Sequence, residues 1–156
     1  SIPSRFREQY AGRIHIVEDQ EINDLTKSVR FAHRSEQQEV LILGATGLRE
    51  DHTLGNISLL MDYAPLFRRI EMLSDYGIFT PLRQTTTLAS DPGTQVSLFS
   101  LAPSGTISTT GLRWPIRNRR LTAWWQGTLN EATGNNFTVT LSADARIIVY
   151  RTLQIM

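Results

Sequence analysis

The sequence predicts a mixed fold: a partial parallel α/β sheet domain over residues 1–83, followed by an antiparallel β-sandwich domain over 84–156. Two shifts near residue 83 predict it. Upstream, apolar runs alternate with helically spaced stretches, and 12 of the 15 acidic residues fall there; downstream lie 13 of the 17 threonines, in short strand-like segments. A third observation is the turn chemistry that cuts the second part into short pieces: Asp91-Pro92-Gly93, Pro103-Ser104-Gly105, Arg117–Arg120 and Thr133-Gly134-Asn135-Asn136.

In the first part, Arg13–Val17 reads as a short strand. Asp24 to Arg34 reads as a helix with Leu25, Val29 and Ala32 near helical spacing, capped by Asn23 or Asp24. Val40–Leu43 is the next strand, and His52–Tyr63 the next helix, with Leu54, Ile57, Leu60 and Met61 on one face. Arg69–Leu73 is a third strand, and Gly77–Thr80 begins the passage to the second part. Strand, helix, strand, helix, strand implies parallel pairing through right-handed crossovers. In the second part Gln84–Leu88, Gln95–Leu101, Gly105–Thr109, Leu121–Gln126, Phe137–Ser142 and Ile147–Thr152 read as strands, which suits an antiparallel sandwich or barrel.

Composition narrows the function. Apolar content of 40% with 20% charged residues fits a soluble globular chain. A formal net charge of +1 provides no basic field, so nucleic acid is not an expected partner. The absence of cysteine removes disulfide and thiolate-metal chemistry and suits a reducing, cytoplasmic setting. No apolar run approaches the roughly 18 residues that span a bilayer, so no membrane partner is expected, and no signal peptide is evident. The chain begins Ser-Ile-Pro without methionine.

Two loops carry the chemistry. Glu18-Asp19-Gln20-Glu21-Ile22-Asn23-Asp24 packs four carboxylates and two amides ahead of a helix. Such hard oxygen ligands suit Mg²⁺ riding on a phosphate substrate; an acidic helix N-terminus that simply complements the macrodipole is the alternative. The second loop, Gly44-Ala45-Thr46-Gly47-Leu48-Arg49-Glu50-Asp51-His52, follows a buried-strand run. It has neither the P-loop lysine nor the G-x-G-x-x-G spacing. Arg49 could clamp a phosphate in bidentate fashion and Asp51 hold a hydroxyl or a metal-bound water; a glycine turn with an exposed Arg49–Asp51 pair is the alternative. Loops at the ends of neighbouring parallel strands would converge on one edge of the sheet. Trp114, between Leu112-Arg113 and Pro115, is either a stacking platform for a flat cationic ring or a plug at a sandwich corner.

These segments resemble the thiamine pyrophosphokinase family across nearly the whole chain. Asp19–Asp24 is similar to its D-Q-D-x-T-D stretch, Gly44–His52 to its G-x-x-G-G-R-x-D-H loop, and Ser108–Trp114 to its S-T-x-G-L-x-W segment. The resemblance implies an α/β catalytic domain followed by a β-sandwich, in a homodimer with active sites at the subunit interface. It implies transfer of pyrophosphate from ATP to the hydroxyl of thiamine, giving thiamine diphosphate and AMP. By position, Asp24 would be a Mg²⁺ ligand and catalytic with Arg49 and Asp51. Gln20, Asn23, Thr46, Ser108 and Trp114 would bind substrate.

Glu21, Asn23 and Leu48 depart from the family's aspartate, threonine and glycine. The family's G-D-x-D-S metal motif is expected immediately before this chain, with Ser1 as its last residue. This implies a C-terminal portion that is inactive without the upstream aspartates. Two other functions are open: a non-catalytic thiamine- or nucleotide-binding fragment, and a pyrophosphokinase for another hydroxymethyl heterocycle.

Overall fold

The computed structural model describes residues 3–153; Ser1, the expected end of the metal motif, lies outside them. Helix α1 (Ser4–Gln9) leads into a 3₁₀ turn, Ala11–Arg13, and both are exposed throughout. The predicted strand Arg13–Val17 does not form. Residues 14–19 have no regular structure, Ile16 is 84% exposed, and among the described residues no strand lies beside this segment. Without a ladder partner, an alternation of apolar residues does not make a strand. His15 instead stacks against Phe31, with 4.6 Å between ring centroids.

Helix α2 (Asp24–Arg34) starts where its cap permits. Asn23 has extended backbone, and its Oδ1 accepts from the Thr26 N–H at 2.8 Å. Strand β1 (Glu39–Leu43) leads through the glycine loop to α3 (Glu50–Tyr63), then β2 (Arg69–Leu73). Strands β1 and β2 are parallel, with Val40 opposite Ile70 and Ile42 opposite Met72, but among the described residues they are the only parallel pair. On one face of the sheet Ile70, Met72 and Ile148 pack with Val29, Leu60 and Met61 from the two helices.

The chain then turns back on itself. Strand β3 (Gly77–Leu82) pairs antiparallel with β2 on one side and with β9 (Ile147–Thr152) on the other. Strands β4 (Thr86–Ala89), β5 (Gln95–Ser100), β6 (Ile107–Thr110), β7 (Asn130–Glu131) and β8 (Asn136–Leu141) complete the set. One six-stranded sheet runs β1-β2-β3-β9-β5-β7, and a three-stranded sheet, β4-β8-β6, faces its second half. Between them lies an apolar core of Leu82, Val96, Leu98, Ile147 and Val149 against Ile107, Phe137 and Val139. The α/β part and the sandwich therefore share a sheet.

The predicted strand Leu121–Gln126 is also absent. Gln126 Oε1 accepts from the backbone N–H groups of Thr122 and Ala123, at 2.8 and 3.2 Å, and a 3₁₀ turn follows over Trp124–Gly127. Those donors are taken by a side chain and cannot enter a ladder. Trp124 lies edge-on to Phe99 and donates from Nε1 to the Ser100 carbonyl; Trp125 is 73% exposed. No described helix is long and apolar enough to cross a membrane.

Candidate active site

The two acidic and glycine loops meet through an asparagine that the sequence did not single out. Asn56, on α3, donates from Nδ2 to the Ala45 carbonyl at 2.8 Å, and its Oδ1 accepts from Asn23 Nδ2 at 3.4 Å. The loop before α2 and the loop after β1 are thereby tied to one helix. The signal for this was present: an amide on the side of α3 that carries Ile57, Leu60 and Tyr63 inward.

Around this junction the predicted residues divide. Asp24 opens α2 with its carboxylate 91% exposed, and its ion-pair partner is Lys27 at 3.6 Å. Gln20 is exposed and donates to the Glu18 carbonyl at 3.2 Å. Asp19 Oδ1 accepts from the Glu21 N–H at 2.9 Å, which makes a local turn of this segment. Among the described residues no three histidine, aspartate or glutamate side chains converge as a metal cage. An exposed Asp24 carboxylate does fit Mg²⁺ of the kind that keeps its waters and phosphate oxygens and takes one or two protein ligands.

Arg49 and Asp51 form a fork. Arg49 Nε donates to Asp51 Oδ1 at 3.1 Å and Nη2 to Oδ2 at 2.5 Å, while the His52 N–H donates to Oδ1 at 2.9 Å. The Arg49 guanidinium first, and the His52 N–H second, hold the Asp51 carboxyl below its ordinary range. Five guanidinium N–H donors less two leave three for a phosphate. Thr53 Oγ1 donates to the Arg49 carbonyl at 3.1 Å, fixing the backbone that carries this fork.

The backbone between Thr46 and the fork is unusual. Gly47 and Leu48 have φ of 86° and 64°. Glycine accepts this left-handed region freely, whereas leucine pays about 1–2 kcal/mol there. The Leu48 side chain is fully exposed and gains no packing in return. Its departure from the family's glycine falls at a position where glycine would be unstrained.

Ser108 and Trp114 belong to the other end of the chain. Ser108, on β6, accepts from the Asn118 N–H at 2.9 Å. Trp114 is held by its backbone: its N–H donates to Asn130 Oδ1 at 3.1 Å and its carbonyl accepts from Asn130 Nδ2 at 2.7 Å. Its ring is 55% exposed with the Arg113 guanidinium 5.2 Å from its centroid, so it does not plug the sandwich. Thr46 lines a cavity with residues of β3, β5 and β9 that includes neither Ser108 nor Trp114.

Residues 1–73 match the family described as thiamin pyrophosphokinase, catalytic domain, and residues 77–150 match thiamin pyrophosphokinase, substrate-binding domain. The chain belongs to the thiamin pyrophosphokinase family. It is 38% identical to thiamine pyrophosphokinase 1 of Oryza sativa subsp. japonica over 112 residues, covering 64% of this chain and 42% of that protein. With thiamine pyrophosphokinase 3 of the same plant it shares 32% identity over 143 residues, covering 83% of this chain and 53% of the relative. The chain thus spans about half the length of these relatives. The crystal structure of thiamine pyrophosphokinase from Bacillus subtilis has the same fold, with a TM-score of 0.83 at 21% identity over 99% of this chain and 76% of that one. The thiamin pyrophosphokinase of Candida albicans gives 0.80 at 15% identity, over 98% and 70%.

Proposed function

We propose that the protein transfers the terminal pyrophosphoryl group of ATP to the hydroxyl of thiamine, yielding thiamine diphosphate and AMP. The observation that supports this most is the Asn23–Asn56–Ala45 link. It draws an open carboxylate loop and an arginine-bearing glycine loop to the same helix, in a chain whose family is thiamin pyrophosphokinase. Arg49, pre-oriented by Asp51, would bind the phosphates through its remaining donors. Asp24 would hold Mg²⁺, which supplies charge neutralisation on the phosphates. Gln20, Asn23 and Thr46 would line the acceptor's approach, and Ser108 and Trp114 would hold thiamine from the sandwich.

In a reaction with so little covalent work for the protein, catalysis rests on alignment and on stabilising charge. Because Ser108, on the three-stranded sheet, and Trp114, in the loop after it, both lie outside the Thr46 cavity, the same reading takes the working unit to be a homodimer, with sites completed between copies. It assigns the activity to the cytoplasm.

The test is the nucleotide product. The full-length protein incubated with ATP, thiamine and Mg²⁺ is expected to release AMP in step with thiamine diphosphate, followed by chromatography. ADP as the sole nucleotide product, or no turnover of thiamine, overturns the assignment. Turnover of a different hydroxymethyl heterocycle in a substrate panel would move the specificity while keeping the reaction.

A further inference from the structure

Another cavity lies at the opposite end of the strands from the glycine loop. Its walls come from the start of β2, the end of β3 and the edge strand β4, and its volume of about 600 Å³ is within the ~300–1,000 Å³ usual for small-molecule sites. In the parallel pair Arg69 stands beside Glu39, whereas Gly44 follows Leu43, which stands beside Leu73. Four residue steps of strand, about 13 Å, therefore separate the two ends. Ile70 and Met72 enter the helix-covered core, so Arg69 and Glu71 project from the other face of the sheet. On that face the Arg151 guanidinium donates to the Ala89 carbonyl on β4 at 2.8 Å, which bridges the two sheets at the cavity wall.

The charge of these walls is one-sided. Arg68, Arg69, Arg83 and Arg151 line the cavity, and Glu71 is the one carboxylate beside them. The whole chain carries a net charge of only +1, so this is a local concentration of positive charge. Glu71 is already shared: it accepts from Thr80, Arg69 and Arg151 at 2.7, 2.8 and 3.3 Å. Arg68 pairs with Glu39, which does not line the cavity. Among the described residues the Arg83 guanidinium has neither an ion-pair nor a hydrogen-bond partner, so all its donors are open. The buried Nε of Arg151 also lacks one. Concave walls that include the buried Phe67 and Leu82 focus such a field, and guanidinium forks match phosphate oxygens two at a time.

We propose that this cavity binds the diphosphate group of a small molecule, at a site separate from the glycine loop, with Arg83 and Arg69 as its principal anion ligands. The two guanidinium groups come from different walls, the start of β2 and the residue after β3. A diphosphate can be shared between them, which favours it over a lone phosphate. None of the cavity's side chains belongs to the catalytic assignment above, so this site stands or falls apart from the pyrophosphokinase reading.

The test uses inorganic pyrophosphate, titrated calorimetrically into the full-length protein carrying Arg49→Gln, which silences the glycine loop as a phosphate site. Binding is expected to persist there and to weaken about tenfold or more when Arg83→Gln is added, the loss of a charge-assisted hydrogen bond. Arg83 has no partner to lose, so Arg83→Gln alone should melt with the parent and keep its rate of AMP formation. In the wild-type protein, the Nε–Hε resonances of Arg69 and Arg83 should shift on adding pyrophosphate, a readout that needs no variant to fold. ADP as a second probe separates the sources: tighter binding than pyrophosphate supports an organic diphosphate, and weaker binding supports the inorganic anion. No binding once Arg49 is replaced, binding indifferent to Arg83→Gln, or an equal response to sulfate at matched ionic strength would each overturn the proposal. A fall in AMP formation in Arg83→Gln would overturn the separateness of the site.

Discussion

Glu71 is the residue whose removal should be felt most across the molecule. It lies on β2, with its side chain 6% exposed, where the catalytic region meets the sandwich. Oε1 accepts from Thr80 Oγ1 at 2.7 Å and from Arg151 Nη2 at 3.3 Å; Oε2 accepts from Arg69 Nε at 2.8 Å. Arg151, on β9, is itself 15% exposed, and its buried Nε has no partner. Burial pushes the Arg151 guanidinium below its ordinary range, and Glu71 opposes that shift.

Glu71→Ala would leave that guanidinium with the Thr80 hydroxyl and the Ala89 carbonyl as its remaining partners. Breaking a buried pair from one side typically costs about 3–5 kcal/mol. Arg69 is 61% exposed and adds little, because water replaces its partner. At about 2–4 °C per kcal/mol for a chain of this size, the melting temperature should fall by roughly 6–20 °C. Glu71→Leu combined with Arg151→Met removes both charges and should recover much of the loss. Urea unfolding followed by circular dichroism measures both variants against the parent. A Glu71→Ala protein within about 1 kcal/mol of the parent would refute the reasoning, since a buried arginine cannot lose its carboxylate so cheaply.

Three further outcomes are expected. Leu48→Gly should raise stability by up to about 1 kcal/mol, because the relief of a left-handed leucine exceeds the added freedom of the unfolded chain; a lower melting temperature would show that the side chain contributes contacts. Asp24→Asn in the full-length protein should depress turnover at least about tenfold while costing no more than the ~0.3–1 kcal/mol of a charge at a helix N-terminus, because Asn23 is the cap; activity within twofold of the parent would end the metal-ligand role. Trp114→Ala should weaken thiamine binding by about 1–3 kcal/mol and leave ATP binding unchanged. Its melting temperature should move only a few degrees, since the ring is more than half exposed; unchanged thiamine affinity would remove Trp114 from the site.

What could be read from the residues alone was whatever local chemistry decides. The Asn23 cap, helix α2, and strands Arg69–Leu73 and Ile147–Thr152 stand where periodicity and capping put them. Arg13–Val17 and Leu121–Gln126 had the right alternation and failed for two different reasons. One has no neighbouring strand, and the other gives its donors to Gln126. The site divides in the same way. Arg49 and Asp51 are two residues apart, so their pairing is local. The link through Asn56 spans 33 residues to Asn23, and the Phe79–Tyr150 ring contact depends on the β3–β9 register. Neither is encoded in any short window of sequence.

Because β3 carries hydrogen bonds to β2 along one edge and to β9 along the other, no flexible joint separates the helix-covered half from the sandwich. Bending between them would mean breaking a ladder, which is a partial unfolding and not a hinge motion. Freedom to move without breaking a ladder is left to the loops, such as those around Gly47 and Asp75. For anyone dissecting the protein, a cut near residue 75 would not yield two modules. It would leave β2 and β3 each with a bare edge.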